Sequence, residues 1–193
     1  MDFHHVSVLP EETLNALNIT PNGIYVDCTL GGAGHAGRIA ARLSPEGRLI
    51  GIDQDEAAIA AAQEHLADAA CQVTLVRDNF RNLSAILAGA GVDSTDGVLF
   101  DLGISSPQID TAERGFSYMQ DAPLDMRMDR RAGRSARSVV NEYTAAELTE
   151  IFYNYGEERW AKRIAAFIEE ERKAHPIETT GQLVAVIDRA VPK

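Results

Sequence analysis

Asp27-Cys28-Thr29-Leu30-Gly31-Gly32-Ala33-Gly34-His35-Ala36-Gly37 follows the apolar run Ile24-Tyr25-Val26 and precedes the helical pattern Arg38-Ile39-Ala40-Ala41-Arg42-Leu43. The order reads as strand, glycine loop, helix. Glycine is needed where the chain turns sharply and where a Cβ would hold the backbone away from a bound nucleotide. The helix N-terminus that follows points at the ligand. Arg48-Leu49-Ile50-Gly51-Ile52-Asp53 is a second apolar strand ending in an acid, placed to accept hydrogen bonds from ribose hydroxyls. The two segments predict an α/β fold with a nucleotide-type cofactor site.

Gly32-x-Gly34-x-x-Gly37 also satisfies the dinucleotide fingerprint, so a nicotinamide-dependent oxidoreductase is one alternative. Asp27 decides against it. A carboxylate at the end of the first strand repels a pyrophosphate but accepts hydrogen bonds from an ammonium. S-adenosyl-L-methionine carries an ammonium and no phosphate, and it is the expected cofactor, held by Asp27, Gly32, Ala33, Gly34 and Asp53.

The chain of 193 residues, 45% hydrophobic, can bury one substantial core and part of a second. No apolar run approaches the ~18 residues of a membrane span, and the N-terminus lacks a basic region followed by an apolar core. A cytoplasmic location and no membrane partner are expected. Cys28 and Cys71 lack metal-ligand spacing and read as small buried residues, so no metal is expected.

Pro10 starts a short helix through Leu17, with Glu11 and Glu12 in its first turn. His4 and His5 before it receive no role. Asp55 to Leu66 reads as a crossover helix and Gln72 to Val76 as a third strand. Asp78, Asn79 and Phe80 follow at the carboxyl edge of the sheet, where an adenine can lie against the ring and meet a polar partner. A helix from Leu83 to Ala88 leads to a fourth strand, Gly97 to Leu102. The alternation implies a parallel, doubly wound sheet. The loop Asp101-Leu102-Gly103-Ile104-Ser105-Ser106-Pro107-Gln108 should face the transferred methyl group. An amino nitrogen needs acceptors to orient its lone pair, and Asp101, Ser106 and the carbonyls around Pro107 are the candidates.

From about Asp110 the texture changes to arginines and helical periods, Ala145 to Tyr153, Glu157 to Arg172 and Thr180 to Ala190, with Thr144 to Glu147 as a capping box. Residues 1–110 therefore read as the cofactor domain and 111–193 as a helical, substrate-recognising one. The net charge of −11 is concentrated in the first part. Arg114, Arg127, Arg130, Arg131 and Arg134 form a local cationic stretch suited to RNA phosphates. A non-enzymatic RNA-binding adaptor would keep these arginines and not need Asp53.

Asp27-Cys-Thr-Leu-Gly-Gly-Ala-Gly-His35, Asp101-Leu-Gly-Ile-Ser-Ser-Pro-Gln108, Glu113-Arg-Gly-Phe-Ser-Tyr-Met119, Pro123-Leu-Asp-Met-Arg-Met-Asp129 and Tyr155-Gly-Glu-Glu-Arg159, in this order, resemble the bacterial ribosomal RNA small-subunit methyltransferase H (MraW) family. The resemblance implies a Rossmann-like class I methyltransferase sheet with an inserted helical domain. It also implies methylation of N4 of a cytidine in the decoding region of 16S rRNA, on the rRNA or the small ribosomal subunit. The family's cofactor contacts fall on Ala33, Gly34, His35, Asp53, Phe80, Asp101 and Gln108. Thr29 stands where many methyltransferases of this fold have the first loop glycine, and Ser105-Ser106-Pro107-Gln108 replaces the Asp/Asn-Pro-Pro-aromatic motif of most amino-group methyltransferases. Only four strands are found, and family members continue past Lys193. The chain is therefore expected to be an N-terminal part lacking the later strands. Its open fourth strand is expected to favour self-association, for instance as a homodimer, and the fragment is expected to keep much of the cofactor pocket and to methylate RNA poorly or not at all.

Overall fold

The computed structural model describes residues 7–192, so His4 and His5 lie outside the described residues. Four strands, β1 (Ile24–Asp27), β2 (Arg48–Asp53), β3 (Gln72–Arg77) and β4 (Gly97–Leu99), form one parallel sheet in the order β3-β2-β1-β4. Successive side chains of a strand face opposite sides, and here each side meets helices. Tyr25 and Leu49 pack with α1 (Pro10–Leu17), α2 (Gly34–Ala40) and α3 (Glu56–His65). Val26, Ile50 and Ile52 pack with α4 (Leu83–Gly89) on the other face. This is the Rossmann-like, doubly wound arrangement expected from the sequence. Cys28 and Cys71 are buried and unpaired, as read.

The first and fourth strands are short, and the fourth ends earlier than the sequence predicts. The first stops at Asp27, where Cys28 donates to the Leu99 carbonyl and Leu30 to that of Ile52 as the chain leaves the sheet. The fourth stops at Leu99 instead of continuing to Leu102. It sits at the sheet edge with β1 as its neighbour, and β1 offers no partner beyond Asp27. Phe100, Leu102 and Ile104 are consequently exposed.

The strand order creates the ligand-binding geometry. From β1 the chain moves outward to β2 and β3, then returns to place β4 on the other side of β1. Loops leaving β1 and β4 therefore diverge, and the crevice at such a switch point is where open α/β sheets bind ligands.

The chain divides into two compact units, Met1–Ser105 and Ser106–Lys193, somewhat before the change of texture at Asp110. The second contains α5 (Ser106–Asp110), α6 (Ala136–Glu142), α7 (Ala145–Asn154), α8 (Ala161–Ala174) and α9 (Thr180–Ala190). Leu148, Ile164, Ile168, Ile177 and Val186 form its core. Reciprocal capping boxes start α6 at Ser135 and Ser138, α7 at Thr144 and Glu147, and α9 at Thr179 and Gln182. The α8 helix begins at Ala161, later than the expected Glu157, because Gly156 and Glu157, at φ 49°, turn the chain first.

Candidate functional site

Asp27, Asp53 and Asp101 converge where β1, β2 and β4 deliver their chains to one edge of the sheet, with Asp27 in register with Gly51 and Leu99. Asp27 is 1% exposed. Its Oδ1 accepts from the Thr29 amide at 3.0 Å, and its Oδ2 is buried without a hydrogen-bond partner among the described residues. Burial, reinforced by the charges of Asp53 and Asp101 and opposed by the Thr29 amide, pushes the Asp27 carboxyl up to about 6. Half-buried Asp53 accepts from the Gly31 amide on Oδ2 at 3.0 Å and from the Asp55 amide on Oδ1 at 2.9 Å. Burial raises its pKa, and these amides hold the rise back.

The glycine loop is shorter than its sequence suggests. Gly31 turns at φ 49°, the Ala33 amide donates to the Leu30 carbonyl at 2.7 Å, and α2 already starts at Gly34, not Arg38. Gly32 is exposed with open space where a Cβ would project, and Ala33 holds a left-handed φ of 61°. His35 thus lies in the first turn of α2 and is buried, with Nε2 3.7 Å from Oδ2 of Asp101 and Nδ1 lacking a hydrogen-bond partner among the described residues. Burial lowers its pKa, against the pull of Asp101, and keeps the imidazole neutral. The Asp101 side chain is 47% exposed, so it stands at the mouth of this acidic recess.

At the end of β3, Phe80 is 37% exposed and meets Phe100 edge to face, with ring centroids 5.4 Å apart. Asp78 accepts on Oδ1 from the Asn79 amide and from Nδ2 of Asn82. The Asn79 side chain is engaged at both ends: Oδ1 accepts from the Arg81 amide and Nδ2 donates to Gln54 Oε1 at 3.1 Å. Its carboxamide shapes the turn, leaving Asp78 the better acceptor for a base edge.

Ser106, Pro107 and Gln108 do not lie in a loop. They open α5, and Pro is tolerated in a first turn because its missing N–H has no helical partner there. Gln108 is 5% exposed.

The arginine stretch also differs from its reading as one cationic surface. Arg114 is buried, donates to the carbonyls of Arg127 and Met128, and lies over the Phe116 ring. Arg127 chelates Asp125 through Nε at 2.6 Å and Nη2 at 3.0 Å, and its Nη1 donates to the carbonyls of Arg130 and Ala132. Buried Arg114 and partly exposed Arg127 both brace the segment, so their guanidinium groups are engaged within the chain. Arg130 is exposed 3.9 Å from Asp125, Arg131 is paired with Asp129 at 2.9 Å, and exposed Arg134 lies over the Tyr143 ring.

Sequence reasoning missed three contributors. Thr29 accepts from the Asp101 amide at 2.7 Å, tying the β1 loop to the end of β4 and giving the departure from glycine a purpose. Gln54 positions Asn79, and Phe100 backs Phe80. The signal for Phe100 was an aromatic next to a strand-terminal acid, which reads equally as core.

Residues 2–193 match the model of the MraW methylase family. The chain is 58% identical over 193 residues to "Ribosomal RNA small subunit methyltransferase H" of Clostridioides difficile (strain 630), covering 100% of this chain and 62% of that protein. Proteins of the same name from Brevibacillus brevis and from Geobacter sp. (strain M21) are 54% and 56% identical over 192 residues, with 61% and 62% of their lengths covered. The chain thus spans about three-fifths of the length of these relatives. With a match along almost its whole length, the chain belongs to the MraW methylase family.

Proposed function

We propose that the first unit binds S-adenosyl-L-methionine and that the chain is the cofactor-bearing part of an enzyme that methylates ribosomal RNA. The observation that carries this reading is the unpartnered, buried Oδ2 of Asp27 beside Asp53 and Asp101. Three carboxylates at the crevice favour a ligand with positive charge at that end and oppose a pyrophosphate. The residues fit: Asp27 to accept from the ammonium, Asp53 to accept from the ribose hydroxyls, Asp78 and Phe80 for the adenine, with open space at Gly32 for the backbone to approach.

Bound S-adenosyl-L-methionine supplies a methyl group on a sulfonium. The finer reading is that the acceptor is N4 of a cytidine in the decoding region of 16S rRNA, and it rests on the five motifs of this sequence and on the name its relatives carry. An exocyclic amine delocalises its lone pair into the ring and must be oriented and deprotonated. Asp101, exposed at the mouth of the recess, accepts an N–H hydrogen bond and takes the proton, while neutral His35 and the Thr29 hydroxyl hold its position. Ser106, Pro107 and Gln108, further along the same sequence motif, are proposed as acceptor-side residues on the resemblance of that motif alone.

Calorimetry of residues 1–193 with S-adenosyl-L-methionine and with NAD tests the cofactor. Binding of the first and not the second is expected, and the reverse would overturn the reading. Labelled-methyl transfer to bacterial 16S rRNA by a full-length relative, with the modified base identified by mass spectrometry, tests the N4-cytidine assignment.

A further inference from the structure

Several cations of the second unit are ion-paired inside it, while exposed Arg134 lies over the Tyr143 ring. Arg127 pairs with Asp125, Arg131 with Asp129, Arg137 with Glu178, Lys173 with Glu170 and Arg189 with Glu171. Arg159, Lys162 and Arg163 differ. All three are exposed, and none makes an ion pair among the described residues. They cluster in the segment that joins α7 to α8 and in the first turn of α8, where the helix's own partial charge is also positive. The same segment carries Glu157 and Glu158, which form no ion pair with them among the described residues, Glu158 accepting from the Trp160 amide on Oε1 at 2.7 Å, so three cations stand against two carboxylates.

The corner is aromatic as well as cationic. Arg159 lies 5.4 Å from the centroid of the Trp160 ring and Arg163 5.4 Å from that of Phe167, which holds both guanidinium planes without neutralising them. Tyr155 is 87% exposed at the end of α7. The tight turn after it fixes its position: a Cβ at Gly156 would come within 2.8 Å of the Phe152 carbonyl, and Glu157 adopts φ 49°. Unneutralised cations on rigid aromatic supports beside an exposed ring are the elements by which proteins hold single-stranded nucleic acid, phosphates on the cations and an unstacked base on the ring.

We propose that the corner between α7 and α8, formed by Tyr155, Arg159, Lys162 and Arg163, is a docking surface for single-stranded RNA. The inference rests on the reading of the chain as an RNA methyltransferase and assigns its substrate contact to this corner in place of Arg114 and Arg127. Charge complementarity selects the occupant. The chain as a whole carries −11 and repels a polyanion, so binding needs a local surface on which cations are not cancelled.

The test is fluorescence anisotropy with a labelled 12-nucleotide single-stranded RNA, titrated at several salt concentrations. The Arg159→Gln/Lys162→Gln/Arg163→Gln variant is expected to bind at least tenfold more weakly and to flatten the salt dependence by about two units of slope, given a contribution of roughly 0.7 per phosphate contact on single strands. Tyr155→Ala is expected to weaken binding about tenfold with the slope unchanged, since stacking carries no counterion release. Lys173→Gln/Arg189→Gln, which removes carboxylate-paired cations of the same unit, is expected to bind as the parent. Far-ultraviolet circular dichroism and a parent-like melting transition report that the second unit of each variant folds, and calorimetric affinity for S-adenosyl-L-methionine is expected to be unchanged. Parent-like RNA binding by the triple variant overturns this proposal and leaves the methyltransferase reading standing. So does an RNA duplex bound as well as the single strand with no effect of Tyr155→Ala. A parent chain that binds neither RNA nor S-adenosyl-L-methionine overturns both.

Discussion

The Gly31 amide donates to Oδ2 of Asp53 at 3.0 Å, so the carboxylate proposed to hold the ribose also fixes the left-handed turn of the glycine loop. Cofactor affinity and loop order are therefore coupled through one side chain. Asp53→Ala is expected to lower S-adenosyl-L-methionine affinity by about 1–3 kcal/mol, the range for losing a charge-assisted acceptor. Asp53→Asn, which keeps one acceptor oxygen, should lose less. Calorimetry on both variants checks this, and unchanged affinity in Asp53→Ala would remove the residue from the site.

Asp27 makes the same site pH-dependent. Its carboxyl titrates near 6 in the folded chain, above the usual carboxylate range, so the folded state holds a proton that the unfolded chain has released. The stability associated with that proton is complete at low pH and is lost as pH rises through about 6, by about 3 kcal/mol for a shift of this size. Cofactor affinity should run the other way, since a cation needs the carboxylate. Binding is expected to weaken up to tenfold per pH unit below 6 and to level off above it. Asp27→Asn should bind weakly and lose this dependence, which titration between pH 5 and 8 would reveal.

Gly115 closes the short helical turn Ala112–Arg114 at φ 70°, and a Cβ there would fall on the Pro123 carbonyl and within 2.9 Å of the Asp125 amide. Both neighbours are backbone and cannot rotate away. Gly115→Ala is expected to destabilise the second unit by about 3 kcal/mol, combining left-handed strain with overpacking. Chemical denaturation followed by the fluorescence of Trp160 would measure it.

The strand β4 hydrogen-bonds to β1 on one side, and among the described residues no strand covers its other edge. Leu102 and Ile104 beyond it are 71% and 49% exposed. An open edge beside exposed apolar side chains invites pairing with a second copy. Sedimentation velocity should show concentration-dependent self-association that Leu102→Lys/Ile104→Lys reduces, and a monomer at every concentration would refute it.

How far these features could be read in advance depended on whether their causes were local. The bounds of β2 and β3 match the expected strands to within a residue because each has a mainly apolar centre, Leu49 to Ile52 and Val73 to Val76, set off by polar residues. Phe100-Asp101-Leu102 has strand character too, yet strand formation needs a partner, and β1 ends before it can supply one. Ser135 to Ser138 hid the start of α6, since Ser in place of Glu or Gln is a weak capping signal. The carboxylates of the site were legible because Asp27 and Asp53 end strands and Asp101 follows the apolar run of β4. The pairing of arginines was not, because charge counted along a sequence says nothing of which acid a guanidinium reaches.

Arg127 isolates that last point. It joins Asp125 through two hydrogen bonds and two backbone carbonyls through its remaining nitrogen, and the guanidinium holds the Asp125 carboxyl below the usual range. A group with a depressed pKa contributes stability that is present above its ordinary pKa and lost as pH falls through the lowered one. Arg127→Gln should therefore reduce the thermal stability of the second unit at neutral pH, and its deficit against the parent chain should narrow as pH drops below about 4, the ordinary range of an aspartate. RNA binding separates this role from a phosphate contact. A bracing residue leaves the salt slope of the folded variant unchanged, whereas loss of a phosphate contact would flatten it by roughly 0.7 on a single strand. A lower melting temperature with an unaltered slope is the expected result, and an unaltered melting temperature with a flatter slope would return Arg127 to the RNA-facing surface.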